Sequence, residues 1–302
     1  DTRRKGWCCS MKMNPVYRQE TTAGSRSFKL PLVILIFNSI LALVALLDMY
    51  SMISQVRQTA EIQYSSFLSL YVFAASVEFV MLLFLVPAMT AGSISGERER
   101  RTLNLLLTTK MTAGDVVIGK LAANLSTILL LIVSSFPILA LVFIYGGITI
   151  LDAALLLLCY VTTAFLTGSI GVFCSAYFRK STIATVASYC ITVLLSLGTV
   201  AAYELSGVLG HGNGFNGSSG FFYLMLLNPG ATFRSVLSSQ IGVGNEIADF
   251  FPWLEQGPVS FVSEHWMLFG TVTQIGLAVV LVWLAVRKVE PVKRRSAKKT
   301  EH

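Results

Sequence analysis

Residues 111 to 124, MTAGDVVIGKLAAN, come within one position of a nucleotide-binding loop. Gly114, Gly119 and Lys120 fit the pattern G-x-x-x-x-G-K-[ST], in which backbone N–H groups hold phosphates and the last hydroxyl binds magnesium. Leu121 stands where that hydroxyl is needed. The residues between the glycines are branched and apolar, whereas a phosphate loop needs a flexible, exposed turn. We therefore expect no nucleotide site in this segment.

The cysteines and histidines show no metal-ligand spacing and no disulfide framework. Of the five cysteines, Cys8 and Cys9 lie before the first apolar run, on the side where we expect thiols to stay reduced. The other three fall inside apolar runs, and the three histidines do not cluster with any of them. The sequence predicts neither a catalytic residue nor a metal or cofactor site in this chain.

Glu78 is an ionisable residue near the centre of the apolar run SLYVFAASVEFVMLLFLVPAM. Inserting an acid at such a position costs about 3 kcal/mol, which the surrounding leucine, phenylalanine and valine residues more than offset. We expect Glu78 to face other helices. It is either a polar point on a translocation path or a carboxyl that hydrogen-bonds a neighbouring helix for packing.

The elements that must position these residues are membrane helices. Hydrophobic residues make up 54% of the 302-residue chain and charged residues only 13%, against about 25% charged in an average soluble protein. Six runs are long and apolar enough to cross a bilayer, and they begin near Leu30, Phe67, Val116, Leu151, Thr182 and Met267. The sequence predicts an all-α, polytopic membrane protein with six transmembrane helices.

The basic residues indicate the orientation. All but two of the 23 lysines and arginines fall before helix 1, between helices 2 and 3, between helices 4 and 5, or after helix 6. The two exceptions are Arg57 and Arg234. Because cytoplasmic loops retain basic residues, both termini are predicted to be cytoplasmic. Nucleic-acid binding is a poorer interpretation of the +7 net charge, since the basic residues are spread over four segments.

This topology divides the chain into three parts. Residues 1–29 are predicted to form a cytoplasmic N-terminal segment with an interfacial helix, and 287–302 a basic cytoplasmic tail. Between them, 30–286 form the six-helix membrane domain. Its two long connections are a cytoplasmic segment at 92–115 and an external one at 206–265, for which the sequence does not choose between a functional role and structural cover.

The cytoplasmic connection GSISGERERRTLNLLLTTKMTAGD carries the strongest local pattern. Its first half is charged, and Leu103, Leu106 and Leu107 then recur at the i, i+3, i+4 spacing of an apolar helix face. This predicts an amphipathic helix outside the bilayer. Thr112 and Asp115 have the spacing of a helix N-cap, so a new helix is expected to start near residue 113. Lys120 is then expected to reach the headgroup boundary.

With these residues the chain resembles the ABC exporter permeases of the type-two membrane-domain family. GERERRTLNLLLTTKMTAGDVVIGK is similar to the segment after their second membrane helix. Three shorter stretches agree in order and spacing: NPVYRQE before helix 1, FCSAYFRKSTIATVASY between helices 4 and 5, and LLNPGATFRSVL between helices 5 and 6. The resemblance covers the chain from Met13 to Lys288.

The resemblance implies a permease subunit that pairs with a second, identical or related permease. Each permease would dock on one of two cytoplasmic ABC ATPase subunits, which bind ATP and magnesium, in the plasma membrane of a bacterium. Carried over by position, the residues implied to couple this chain to the ATPase are Glu97, Glu99, Thr102, Leu103, Leu106, Leu107 and Thr112. Arg101, Asn104, Lys110 and Met111 depart from the family pattern, which leaves open the charges that meet the ATPase.

Two other functions are compatible with six membrane helices. The chain is alternatively a secondary transporter or channel without an ATPase, or a membrane scaffold that transports nothing. Secondary transporters often show internal repeats and interrupted helices with coupling charges, whereas this sequence has one central acid and no visible repeat. The substrate is not predicted by the sequence.

Overall fold

A computed structural model describes residues 15–59, 64–101, 112–146, 149–202, 205, 223–241, 262 and 265–289. These residues form helices and contain no strand. The helices are α1 (Pro15–Arg26), α2 (Lys29–Thr59), α3 (Tyr64–Thr90), α4 (Ser95–Glu99), α5 (Ala113–Gly146), α6 (Ile150–Tyr177), α7 (Ser181–Val193), α8 (Pro229–Ile241) and α9 (Trp266–Val289). A π-helical turn, Leu194–Gly198, extends α7.

The prediction of six membrane helices is confirmed. In the described part of the chain, six helical segments are long and apolar enough to cross a membrane, and they belong to α2, α3, α5, α6, α7 and α9. Each of these helices begins within about three residues of the start expected from its apolar run. The cytoplasmic position of the termini and the bounds of the three parts of the chain stay predictions.

Helix α6 forms the centre of the bundle. It packs against α3, α5, α7, α8 and α9, and its buried residues include Tyr160, Leu166 and Ile170. This helix carries a stripe of small residues: Ala164, Gly168, Gly171 and Ser175. Small residues let membrane helices approach closely, because in lipid no hydrophobic driving force holds the helices together. At Gly171, an added Cβ would lie 2.0 Å from Thr90 Oγ1 of α3.

The short helices α1 and α8 pack against different membrane spans of the bundle. Helix α1, in the segment expected to be interfacial, packs against α5 and α2. Helix α8 lies in the long connection between the last two spans and packs against α6 and α9, and its Phe233 ring stacks on Phe79 of α3 at 4.2 Å between centroids. Helix α8 begins at Pro229, directly after Asn228.

Candidate coupling site

Helix α4 begins after a turn that interrupts the helical path from α3, and a residue of α6 stabilises this turn. After α3 ends at Thr90, a turn leads into α4, and the start of α4 includes the backbone N–H groups of Ile94 and Ser95. Both donate to Ser175 Oγ, at 2.8 and 2.9 Å. Because unpaired N–H groups at a buried helix start are costly, Ser175 stabilises the turn and fixes the direction of α4.

Lys120 joins α4 to two other helices. Its Nζ lies 2.8 Å from Glu97 Oε1 of α4 and 2.6 Å from Glu20 Oε1 of α1. The Lys120 side chain is only 5% exposed, so these charge-assisted bonds are less screened than surface ion pairs. Lys120 therefore lies inside an ion-pair cluster formed by α1, α4 and α5, and the expectation that it reaches the headgroup boundary stays a prediction.

The other charged residues of α4 contact the ends of α6 and α7. Glu99 accepts hydrogen bonds from Ser181 N at 2.9 Å and Ser181 Oγ at 2.8 Å, which places a carboxylate at the start of α7, where helices favour negative charge. Arg98 Nη1 donates to the carbonyl of Ala176 near the end of α6 at 3.2 Å, where cations are favoured. The turn between α6 and α7 is therefore held from both sides by α4.

Thr112 has the capping role expected from its spacing to Asp115. Asp115 N donates to Thr112 Oγ1 at 3.2 Å, and the Asp115 carboxylate accepts from Thr112 N and Oγ1. Helix α5 accordingly begins at Ala113. This reciprocal pattern is a capping box, and it stabilises the start of α5 on the α4 side of the bundle.

The apolar half of the predicted amphipathic helix lies outside the described residues, which include none of Thr102, Leu103, Leu106 and Leu107. Of the charged half, Glu97 and Glu99 lie in α4, and this helix ends at Glu99. Arg101 then has a φ of 58°, a left-handed conformation typical of the residue that follows a helix. The charged residues therefore form a separate short helix rather than the first turns of a longer one.

The structure brings Glu97, Glu99 and Thr112 to the same end of the bundle but gives each a bond within this chain. Sequence reasoning missed Glu20, Ser175 and Ser181 as partners of the site. Ser175 and Ser181 lie within the stretch FCSAYFRKSTIATVASY, and Glu20 lies within NPVYRQE, but the resemblance gave these residues no individual role. No local pattern relates position 20 to position 120.

Glu78 is fully buried where α3, α5 and α6 meet. Its Oε1 accepts a hydrogen bond from Ser135 Oγ of α5, and its Oε2 has no hydrogen-bond partner. Glu78 also lines a small internal cavity with Tyr160 and apolar residues of α5 and α6. The expectation that Glu78 faces other helices is met, whereas its part in transport stays a prediction.

The site contains ion pairs and helix caps rather than reacting groups. Its contacts connect helices, and none of them pairs a nucleophile with a base as covalent catalysis requires. In the part of the chain that is described, no group of three His, Cys, Asp or Glu side chains is placed to hold a metal ion. The arrangement can transmit a displacement from α4 to the helices it contacts.

Comparison with known proteins identifies one family. The family described as "ABC-2 family transporter protein" matches this chain over residues 15–289. That range begins at α1 and ends with α9, so it includes every helix described above. No curated protein matches the chain.

Proposed function

This chain belongs to the ABC-2 transporter family as a multi-pass membrane permease, and from that premise we propose that it is the permease subunit of an ATP-driven exporter, coupled through α4 to a separate ATPase. An ABC permease works with an ABC ATPase subunit. We further propose two ATPase copies per complex, a second identical or related permease, and a place in the plasma membrane of a bacterium. ATP and magnesium would be bound by the ATPase alone.

The observation that supports coupling through α4 is the set of bonds that hold this helix. Lys120 ties Glu97 to α5 and to Glu20 of α1, while Arg98 and Glu99 contact the ends of α6 and α7. A force applied to α4 therefore reaches α5, α6 and α7 through direct contacts, and it reaches α1 through Lys120. A loop without such contacts would absorb the same displacement.

In the proposed mechanism, closure of two ATP-loaded ATPase subunits displaces α4. Because α4 follows α3 after a short turn and is bonded to α5, α6 and α7, the ends of these spans move with it. The spans then rock as rigid bodies between inward-facing and outward-facing states, which is a common transition in transporters. Glu78, on α3, would be a polar point on the path that opens.

The double variant Glu97→Ala, Glu99→Ala tests this proposal. It removes the contacts to Lys120 and Ser181. We expect normal membrane insertion, but the stimulation of ATP hydrolysis by the permease should fall about 5-fold or more, which corresponds to the lower end of typical coupling energies. ATP hydrolysis is measured with the complex reconstituted in nanodiscs. Arg100→Ala, an exposed change next to α4, is the control.

Unchanged stimulation in the double variant would contradict the coupling role of α4. Purification of the tagged chain from its own membranes provides a second measurement: an ABC ATPase is expected to co-purify with it. Flux driven by an ion gradient in the absence of ATP would instead favour a secondary transporter. The co-purification does not depend on knowing the substrate beforehand.

A further inference from the structure

A groove of about 500 Å³ lies beside the ion-pair cluster. Its walls come from α1, the connection after it, the first turns of α2, and α5, with Met89 of α3. This volume falls within the usual range for small-molecule sites. The proposed coupling mechanism uses Glu20 at one end of the groove but leaves the groove itself without a function.

The lining of the groove changes from polar to apolar along α5. Glu20 and Thr21 lie at the end near Lys120, and Asn124 lies one turn farther along α5. Leu130 and Leu131 line the other end, and Leu131 is about 10 Å deeper along the helix axis than Asn124. A ligand that matches this order has a polar head and an apolar tail aligned with the membrane spans.

The polar end of the groove favours a ligand group that donates hydrogen bonds. Thr21 Oγ1 already donates its hydrogen to the carbonyl of Tyr17 at 2.8 Å, so toward a ligand it can only accept a hydrogen bond. The Glu20 carboxylate is 41% exposed and also accepts only. Both residues therefore favour a cationic donor, such as a primary ammonium group.

The middle of the groove favours a ligand group that accepts hydrogen bonds. Asn124 lines it, and the Nδ2 of this residue is buried without a hydrogen-bond partner. A buried amide donor without a partner is costly, and a phosphate or ester oxygen would supply the missing acceptor. Along the groove, the lining therefore fits an ammonium group first, then an oxygen acceptor, and then an apolar chain.

We propose that this groove binds an amine-bearing membrane phospholipid of the phosphatidylethanolamine class. Its ammonium group lies at Glu20 and Thr21, its phosphate or ester oxygens lie at Asn124, and one acyl chain lies along Leu130 and Leu131. The bilayer around the six spans is the source of this lipid. The site places a lipid between the interfacial helix α1 and the spans α2 and α5.

Photocrosslinking tests where the acyl chain lies. The full chain is placed in nanodiscs with phosphatidylethanolamine that carries a diazirine on one acyl chain, and labelled peptides are mapped by mass spectrometry. We expect strong labelling of α5 and the start of α2. Leu130→Trp should reduce it about fivefold or more, because the indole fills the groove.

Leu129→Trp is the matched control, because Leu129 is 46% exposed and Leu130 47% but only Leu130 lines the groove. This variant should leave the labelling unchanged. Equal loss in both variants, or labelling spread evenly over all lipid-facing helices, would overturn the proposal. Crosslinks from residues 124–131 to a second copy of the chain would also overturn it, since another permease would then occupy the groove.

Headgroup selection is tested with the same diazirine on phosphatidylcholine and phosphatidylglycerol. Phosphatidylethanolamine should label the groove more strongly than both, and Thr21→Val should reduce this preference. Thr22→Val is the control, because Thr22 donates to the carbonyl of Arg18 in the same helix but is exposed outside the groove. Equal labelling by all three lipids would overturn the assignment of an amine-bearing headgroup.

Discussion

Lys120 joins three helices of the candidate site through its ion pairs. It appears in the sequence as part of an incomplete phosphate loop, and its position near the end of a span suits a lysine that reaches toward lipid headgroups. In the structure it pairs with Glu20 and Glu97. Two carboxylates within bonding distance stabilise a buried ammonium group, which otherwise would be costly to remove from water.

Glu78→Gln tests the buried acid. Glutamine has nearly the same shape and can still accept the hydrogen bond from Ser135, so we expect the variant to assemble with an unchanged melting temperature. If Glu78 lies on the translocation path, the transport rate or the substrate range changes with the loss of its ionisable group. We expect such a change in reconstituted transport. Normal transport by a normally assembled variant would assign Glu78 to helix packing.

Gly171→Ala tests the closest approach between α3 and α6. The new Cβ would lie 2.0 Å from Thr90 Oγ1 and 3.3 Å from Ala91 N, so the end of α3 has to move. We expect a loss of roughly 1–3 kcal/mol in stability, as for other overpacked interiors, seen as a lower melting temperature in detergent.

Gly276→Ala is the control for this change, because a Cβ at Gly276 of α9 meets nothing within 4 Å. Its melting temperature should stay close to that of the unmodified protein. If Gly171→Ala melted at the same temperature as Gly276→Ala, the tight contact between α3 and α6 would be disproved.

At the scale of elements, α8 is attached to two spans by one asparagine. The side chain of Asn228 donates from Nδ2 to Ser196 O and Thr199 Oγ1, each at 2.8 Å, and accepts from Gly230 N at 2.8 Å. The π-helical turn after α7 contains Ser196, and such turns have i→i+5 rather than i→i+4 hydrogen bonds. Gln274 of α9 donates to the Asn228 carbonyl. The start of α8 is thereby tied to the ends of α7 and α9.

Asn228→Ala removes the three side-chain bonds, and the part-buried N–H of Gly230 loses its acceptor at the start of α8. We expect a destabilisation of roughly 1–3 kcal/mol and faster amide exchange in α8, measured by hydrogen–deuterium exchange. Ser239→Ala is the control on the same helix, since the Ser239 hydroxyl bonds only the carbonyl of Val236 within α8. Unchanged exchange in Asn228→Ala would show that packing, including the Phe79 and Phe233 stack, holds α8 without this residue.

The local patterns of the sequence predicted some elements well and others in part. The start of α5 was predictable because Thr112 and Asp115 form a cap within one turn. Of the amphipathic helix expected in the cytoplasmic connection, the structure describes only the charged part, where α4 ends at Glu99 and Arg101 adopts a left-handed conformation. The contacts of α4 with α6 and α7 join residues far apart in the sequence, so residue spacing does not encode them.

At the scale of the whole molecule, the orientation of the bundle is a prediction that labelling can test. Single cysteines are introduced as Arg100→Cys, after α4, and Ile150→Cys, which is 91% exposed at the start of α6, in a background without the native cysteines. We expect a membrane-impermeant maleimide to label the second variant in intact cells and the first only after permeabilisation, as the distribution of basic residues requires. The reverse pattern would contradict the proposed docking of an ATPase at α4.

The sequence by itself determined the class, the six spans and the places where they start. These features depend on the length of apolar runs and on caps within one helical turn, so they are local properties of the chain. Only the tertiary structure decided which polar side chains meet. Glu20 and Lys120 are 100 positions apart, and Glu99 and Ser181 are 82 apart. Such pairs form only when packed helices bring them within about 3 Å, and no spacing along one helix specifies that arrangement.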